Sequence, residues 1–364
     1  MDWNTVLKTG ADDMASPAQS YQFIFRPTML CNLRCKYCYV GALRDHNGQI
    51  MSEKEARTCV DWMIAFCRYH AIRHVSILWH GGEPLLPGID FLANTLEYAE
   101  SRFGEAGVPM SNQIQTNLLL VEERHVELFR RYFGGTIGFS WDYGSDMRVY
   151  PDGKDASAAI WEKALWCREN GLKLGAICQI TSENRDRPVE LYRHFSEAGI
   201  PFRLGPVFPS SMEDAVRAAK TACAVIDAWL DDKNPTIEIG NFCEMVESLL
   251  TGTCCKCYLE KNCGRVLLAL SPGGRIYPCS RTIDNCDIIG NFHTDSPEAV
   301  HLRRMSFYAN KEDARCANCK FFRACAGGCA FHYKGGWHMC ECAYNYRVLK
   351  HLSERMREFG HDCR

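Results

Sequence analysis

Short runs of β-branched and aromatic residues, separated by longer amphipathic stretches, set the frame of this 364-residue chain. Strands are predicted at 21–25, 74–79, 113–116, 136–140, 172–177 and 201–207. Helices are predicted near 52–70, 89–103, 121–132, 155–170 and 187–198, the first opened by Ser52-Glu53-Lys54-Glu55 in the manner of a capping box. Six strands alternating with helices imply parallel βαβ units and an α/β fold. Helices near 212–232 and 241–251 follow, and then the pattern changes. Residues 265–270 and 275–277, joined by Ser271-Pro272-Gly273-Gly274, read as a β-hairpin. A cysteine-rich loop region leads to a last helix from about Ala343 to Phe359. Residues 1–20 show no periodicity and read as an arm, so the chain divides into an arm, an α/β unit over 21–210, a helical bridge over 211–252 and a cysteine-rich unit over 253–364.

Composition narrows this picture. The formal net charge is −2 with Lys and Arg dispersed, which argues against nucleic acid or an anionic membrane as the main partner. Apolar runs are too short for a membrane span, and Met1-Asp2-Trp3-Asn4 does not open a secretory signal. The 22 cysteines are many for a chain of this length. Disulfide scaffolds are short and secreted, so reduced thiols that hold metal in the cytosol are the better account.

Those thiols concentrate in two places. The first is Cys31-Asn32-Leu33-Arg34-Cys35-Lys36-Tyr37-Cys38, just after the first strand. Iron–sulfur clusters are held by soft thiolates, usually four per cluster, so three on one loop leave one iron open to an exchangeable ligand. A zinc knuckle is the alternative, but zinc motifs more often repeat a two-residue gap and close with a fourth protein ligand. The spacing, with Tyr37 before the third cysteine, resembles the signature of radical S-adenosylmethionine (SAM) enzymes. That resemblance implies a partial (β/α)6 TIM-like barrel, which agrees with the strand count. It further implies SAM at the open iron of a [4Fe–4S] cluster ligated by Cys31, Cys35 and Cys38. Gly81-Gly82-Glu83-Pro84, after the second strand, matches the segment that binds the SAM amino group in the family. Asn117 and Ser140, and more weakly Asp142 and Arg148, match positions that contact SAM ribose and carboxylate. Leu118 and Tyr143 stand where glycine is common. Cys178 and Gln179, at the end of the fifth strand, are further candidates for the substrate side. The bland alternative for the lone cysteines Cys59, Cys67, Cys167, Cys178, Cys223 and Cys243 is a small buried apolar residue.

The second concentration is Cys263, Gly274 and Cys279, followed by Cys316-x2-Cys319-x5-Cys325-x3-Cys329, Cys340 and Cys342. It resembles the SPASM extension of radical SAM enzymes, which holds two auxiliary iron–sulfur clusters. By that resemblance Cys257, Cys263, Cys279 and Cys329 hold the first, and Cys316, Cys319, Cys325 and Cys342 the second. Cys255 and Cys340 are alternatives, and Cys342 is preferred because the last helix is expected to begin directly after it. Three [4Fe–4S] clusters in all are therefore expected.

Family members with this extension mostly modify peptides. The expected reaction is oxidative crosslinking of a ribosomally made peptide, with an electron passing to the auxiliary clusters. Radical epimerisation, dehydrogenation of a sugar or aminocyclitol, and formylglycine formation are alternatives. Sulfatase-maturing enzymes carry an aspartate base after the equivalent of Cys279, where this chain has Ser280. The short segment before the first strand is too small for a leader-recognition domain, so a peptide substrate would need a separate recognition protein or a direct grip by the barrel and the 209–250 bridge. The electron donor would be a flavodoxin or ferredoxin.

Overall fold

The computed structural model describes residues 20–40, 49–207, 211–233, 235–254, 266–308, 316, 318–329, 331–332 and 338–361. The predicted arm, and Cys255, Cys257 and Cys263, lie outside the described residues. Six parallel strands form one open sheet: β1 (Ser20–Phe25), β2 (His74–Trp79), β3 (Met110–Thr116), β4 (Thr136–Ser140), β5 (Lys173–Ile180) and β6 (Phe202–Pro206). Between them run α1 (Glu53–Tyr69), α2 (Ile89–Glu105), α3 (Glu123–Phe133), α4 (Ser157–Glu169) and α5 (Pro188–Ala198). This is the partial TIM-like barrel that the family resemblance implies, built from the parallel units that the alternation predicts. Along β2 and β5, fully buried side chains alternate with half-buried ones. The buried set packs under the helices, and the other set faces the concave interior, as a period of two requires.

The sheet does not stop at the barrel. Strand β7 (Leu267–Leu270) pairs parallel to β1, Phe23 opposite Leu268, and continues into antiparallel β8 (Arg275–Tyr277) and β9 (Gly290–Asn291). The predicted hairpin is thus the far wing of a nine-stranded sheet ordered β6-β5-β4-β3-β2-β1-β7-β8-β9. Its turn is tied back to α1. Ser52 caps that helix by accepting from the Glu55 backbone N–H, but Glu55 does not return the bond of a capping box. Its carboxylate instead accepts from the N–H groups of Gly273 and Gly274 at 2.6 and 3.1 Å.

Three more helices complete the unit: α6 (Met212–Leu230), α7 (Gly240–Thr251) and α8 (Pro297–Tyr308). The last of these is not foreseen by the sequence pattern, because its apolar residues show little one-sidedness. At the sheet edge, the Asn241 amide donates to the Leu204 carbonyl and accepts from its N–H, at 2.9 and 2.8 Å. The open edge of β6 is thereby blunted by a side chain. The final helix α9 (His338–Glu358) begins five residues before the predicted start and packs along α6, with His351 2.8 Å from Asp227.

Candidate radical and auxiliary sites

The cysteine loop leaves β1 and is pinned from both sides. Arg34 and Lys36 donate backbone N–H groups to the carbonyls of Val149 and Met147 at 2.7 and 2.8 Å. On the other flank, the N–H groups of Gly82 and Glu83 reach the carbonyls of Thr28 and Leu30. A Cβ on Gly81 would come within 2.2 Å of the Thr28 oxygen, and one on Gly82 within 2.1 Å of the Leu30 oxygen. The two glycines are required by this close approach of backbone to the cysteine loop itself. Cys31, Cys35 and Cys38 then line one cavity of about 290 Å³, together with Tyr37, Gly81, Gly82, Glu83, Asn117, Ser140 and Arg148. That is close to the lower end of small-ligand cavities, roughly 300–1,000 Å³. It lies at the C-terminal ends of the strands, where parallel α/β folds place their sites.

Glu83 is fully buried and joins two strand ends. It accepts from Thr116 Oγ1 at 2.7 Å and from the backbone N–H of Asn117 at 2.9 Å and Leu85 at 3.1 Å. Burial, only partly offset by these bonds, raises its carboxyl to about 7. The Asn117 amide donates to Asn32 Oδ1 at 2.7 Å and approaches Cys31 Sγ at 3.9 Å. The following Leu118 holds φ +66° and is completely buried, so the position where glycine is common keeps its left-handed backbone with a leucine on it. Burial and the nearby Arg26 charge lower His80, on the cavity wall, to about 4, which keeps it neutral at pH 7.

Asp142 is a buried brace for the same cavity. Arg148 Nε pairs with its Oδ2 at 2.9 Å, the Tyr37 hydroxyl donates to the same oxygen, and the Gln179 N–H donates to Oδ1 at 2.7 Å. Ser140 accepts from Gln115 Nε2 at 2.8 Å. All the SAM-side residues named from the sequence are therefore gathered at one cavity, Asp142 from behind it. Cys178 is the exception. It points from β5 into the fully buried core, while its neighbours Ile177 and Gln179 line the cavity. A one-residue step along a strand reverses the face. Its expected place on the substrate side is corrected accordingly, and burial holds its thiol well above the usual range.

In the C-terminal region, Cys316, Cys319, Cys325 and Cys342 line a second cavity of about 520 Å³. Cys340 does not line it. Both cysteines stand in the first turns of α9, so the helix start does not distinguish them; the helix face does. Burial, with Glu341 and Cys342 beside it, pushes the Cys325 thiol up to about 12. Of the other proposed set, Cys279 and Cys329 are described, and both are buried. Arg281 joins them, its backbone N–H 3.4 Å from Cys279 Sγ and its Nη1 3.9 Å from Cys329 Sγ. The same Nη1 lies 2.9 Å from His332 Nε2, whose Nδ1 lies 2.9 Å from Glu341. Arg281 also lines the radical-site cavity and a third one of about 210 Å³ between it and the C-terminal region.

Sequence reasoning missed Arg26, Tyr39, Arg281, His332 and Glu341. Each is an isolated polar residue beside a motif, and only the fold brings them together.

This constellation meets its relatives in the comparisons. The Radical SAM superfamily model matches residues 25–195. An uncharacterized protein of Methanothermobacter thermautotrophicus is 30% identical over 191 residues, 52% of this chain and 69% of the relative. The chain belongs to the radical SAM superfamily. More particularly, a cysteine-type anaerobic sulfatase-maturating enzyme of Clostridium perfringens is 24% identical over 327 residues, 82% of this chain and 85% of the relative. The solved anSMEcpe structure with bound AdoMet and Cp18Cys peptide shares the fold at a TM-score of 0.74 and 19% identity, over 93% of this chain and 99% of that one. SuiB of Streptococcus suis with S-adenosylmethionine follows at 0.59 and 18%, over 87% and 75%.

SAM and a [4Fe–4S] cluster are the cofactors of the superfamily. The donor set fits them: three thiols share a cavity that continues along the glycine, glutamate and asparagine positions. No helix among the described residues is long and apolar enough to cross a membrane.

Proposed function

We propose that this enzyme carries out a net two-electron radical oxidation of a ribosomally made peptide, closing an intramolecular thioether, C–C or C–O crosslink. The observation that carries the reading is the continuity of the radical-site cavity with the auxiliary sulfurs: Arg281 lines the first and reaches Cys279 and Cys329. When bound, SAM and its cluster supply a 5′-deoxyadenosyl radical that takes one hydrogen atom, and the auxiliary clusters supply a one-electron acceptor. The remaining balance is one proton released as the new bond closes.

The chain's own residues orient and enclose. Glu83 and Asn117 fix the cofactor end of the cavity, and Asp142 holds Tyr37 and Arg148 against it. Cys257, Cys263, Cys279 and Cys329 would hold one auxiliary [4Fe–4S] cluster, and Cys316, Cys319, Cys325 and Cys342 the other. Peptide substrates in the anSMEcpe and SuiB structures support a peptide here. A separate recognition protein and a flavodoxin or ferredoxin would complete the system, in the cytoplasm. Formylglycine formation is the second reading, favoured by the identity with the sulfatase-maturating enzyme over 82% of the chain. Against it, the residue after Cys279 is Ser280, whose backbone carbonyl accepts from Arg26 and Tyr39 and which offers no carboxylate base.

The test is mass spectrometry of an anaerobic reaction in deuterated water with reconstituted enzyme, SAM, a reductant and short peptides encoded beside the gene. Loss of two hydrogens per 5′-deoxyadenosine is expected. Uptake of one deuterium at carbon without oxidation would replace the reading with epimerisation. Formation of 5′-deoxyadenosine with every peptide unchanged would move the search to small molecules.

A further inference from the structure

Arg26 is one of the largest fully buried side chains in the protein, at 1% exposure. It stands directly after β1, and its guanidinium faces the loop that carries Cys279. It donates to the carbonyl oxygens of Ser280 at 2.5 Å and of Cys279 and Thr282 at 3.3 Å, and to Ser271 Oγ at 3.4 Å. The Tyr277 ring lies 5.5 Å from its centre. Every one of these partners is neutral. Among the described residues no carboxylate pairs with it, although charged side chains are almost never fully buried without one.

A buried cation with neutral acceptors on one side calls for an anion on the other. Cys279, whose carbonyl Arg26 already reaches, lies on that side. Arg281 brings a second guanidinium to the same place from the cavity side, with donors toward both Cys279 and Cys329. A cluster held by thiolates is anionic and gains one further negative charge on reduction. Nearby cations and N–H groups aimed at its sulfurs favour the reduced form and raise the potential.

We propose that Arg26 is the buried counter-charge of the cluster held at Cys279 and Cys329, and that with Arg281 it sets this cluster's potential high enough to take the substrate electron. This rests on the auxiliary-cluster reading above. Arg26 acts as a positioning residue: it does not line the radical-site cavity, and it ties the end of the barrel's first strand to the loop of the auxiliary site.

The experiment uses the full chain with Cys31, Cys35 and Cys38 changed to Ala, so that only auxiliary iron remains. Iron and sulfide are counted, and midpoint potentials are read by electron paramagnetic resonance during a redox titration. The wave lost in Cys279→Ala identifies the cluster concerned. Arg26→Gln is expected to shift that wave to a more negative potential and leave the other wave in place, and Arg26→Lys to restore most of the shift. Arg281→Gln, at a partly exposed position, is expected to shift the same wave in the same direction by less. A fully loaded Arg26→Gln protein with an unchanged midpoint would overturn the proposal. Loss of iron in both Arg26 variants, with Arg281→Gln at the parent midpoint, would also overturn it and leave Arg26 as a clamp for carbonyls only. If the parent protein binds no iron at all, the auxiliary-cluster reading itself fails, which is a separate and recognisable result.

Discussion

The barrel cavity and the cysteine-rich end gather their thiols by opposite means. In the barrel, regular structure does the work. Parallel strands bring Gly81-Gly82, Asn117 and Ser140 to one rim, and backbone hydrogen bonds from Gly82 and Glu83 fix the cysteine loop. Among the described residues three thiols line the cavity, a set that would leave one iron open to an exchangeable ligand. At the other end, four thiols from a loop, a helical turn and the start of α9 enclose a cavity of about 520 Å³ with little regular structure between them. On the proposed reading, a cluster bound there would itself hold the region together, as in small metal-bound folds. An open set held by the fold suits chemistry on a bound cofactor. A closed set that holds its own fold suits electron storage.

The largest effect should come from changing Cys31, Cys35 and Cys38 together to Ala. 5′-Deoxyadenosine should become undetectable by chromatography while iron at the C-terminal region is retained; loss of all iron would show that the two regions are not independent. Next, Cys342→Ala should remove about one cluster's iron and lower thermal stability, whereas Cys340→Ala should leave iron content unchanged, because only Cys342 lines the cavity. Equal losses in the two variants would break the assignment.

Asp142→Asn tests how far the barrel site depends on its brace. Leaving Arg148 buried without its partner should destabilise the protein by about 3–5 kcal/mol in urea unfolding. A change below about 1 kcal/mol would mean that solvent reaches the pair.

Glu83 gives a pH signature. Its folded carboxyl sits at about 7, above the ordinary 4.5, so the folded state binds the proton more tightly. The stability of the apo protein from this group should therefore be highest below pH 4.5 and fall as pH rises to 7, by on the order of 3 kcal/mol. Glu83→Gln should remove that slope when the two proteins are compared from pH 5 to 8. The smallest effect belongs to Cys178→Ala, a core change costing about 1 kcal/mol with 5′-deoxyadenosine production unaltered. A large loss of product there would return Cys178 to the substrate side.

Much of the barrel was legible because its signals are local. Strand-forming runs, turn glycines and the spacing of Cys31, Cys35 and Cys38 each report on a few adjacent residues, and all six barrel strands lie within about three residues of their predicted bounds. What failed was non-local. The pairing of β7 with β1 joins residues far apart in sequence, and no periodicity announces it. Cys342 was selected for its place before a helix that in fact contains it. Arg26 reads as an ordinary strand-end residue until the fold buries it under the Cys279 loop. Cys178 shows the finest limit, since a strand's end can be located without knowing which of two neighbours faces inward.

The division of labour between the two regions is tested most directly by the ratio of modified peptide to 5′-deoxyadenosine in a variant with Cys279 and Cys329 changed to Ala. The account predicts that 5′-deoxyadenosine still forms while the peptide that has lost two hydrogens falls well below one per event. A ratio equal to that of the unaltered enzyme, with the iron of that site shown to be gone, would contradict it.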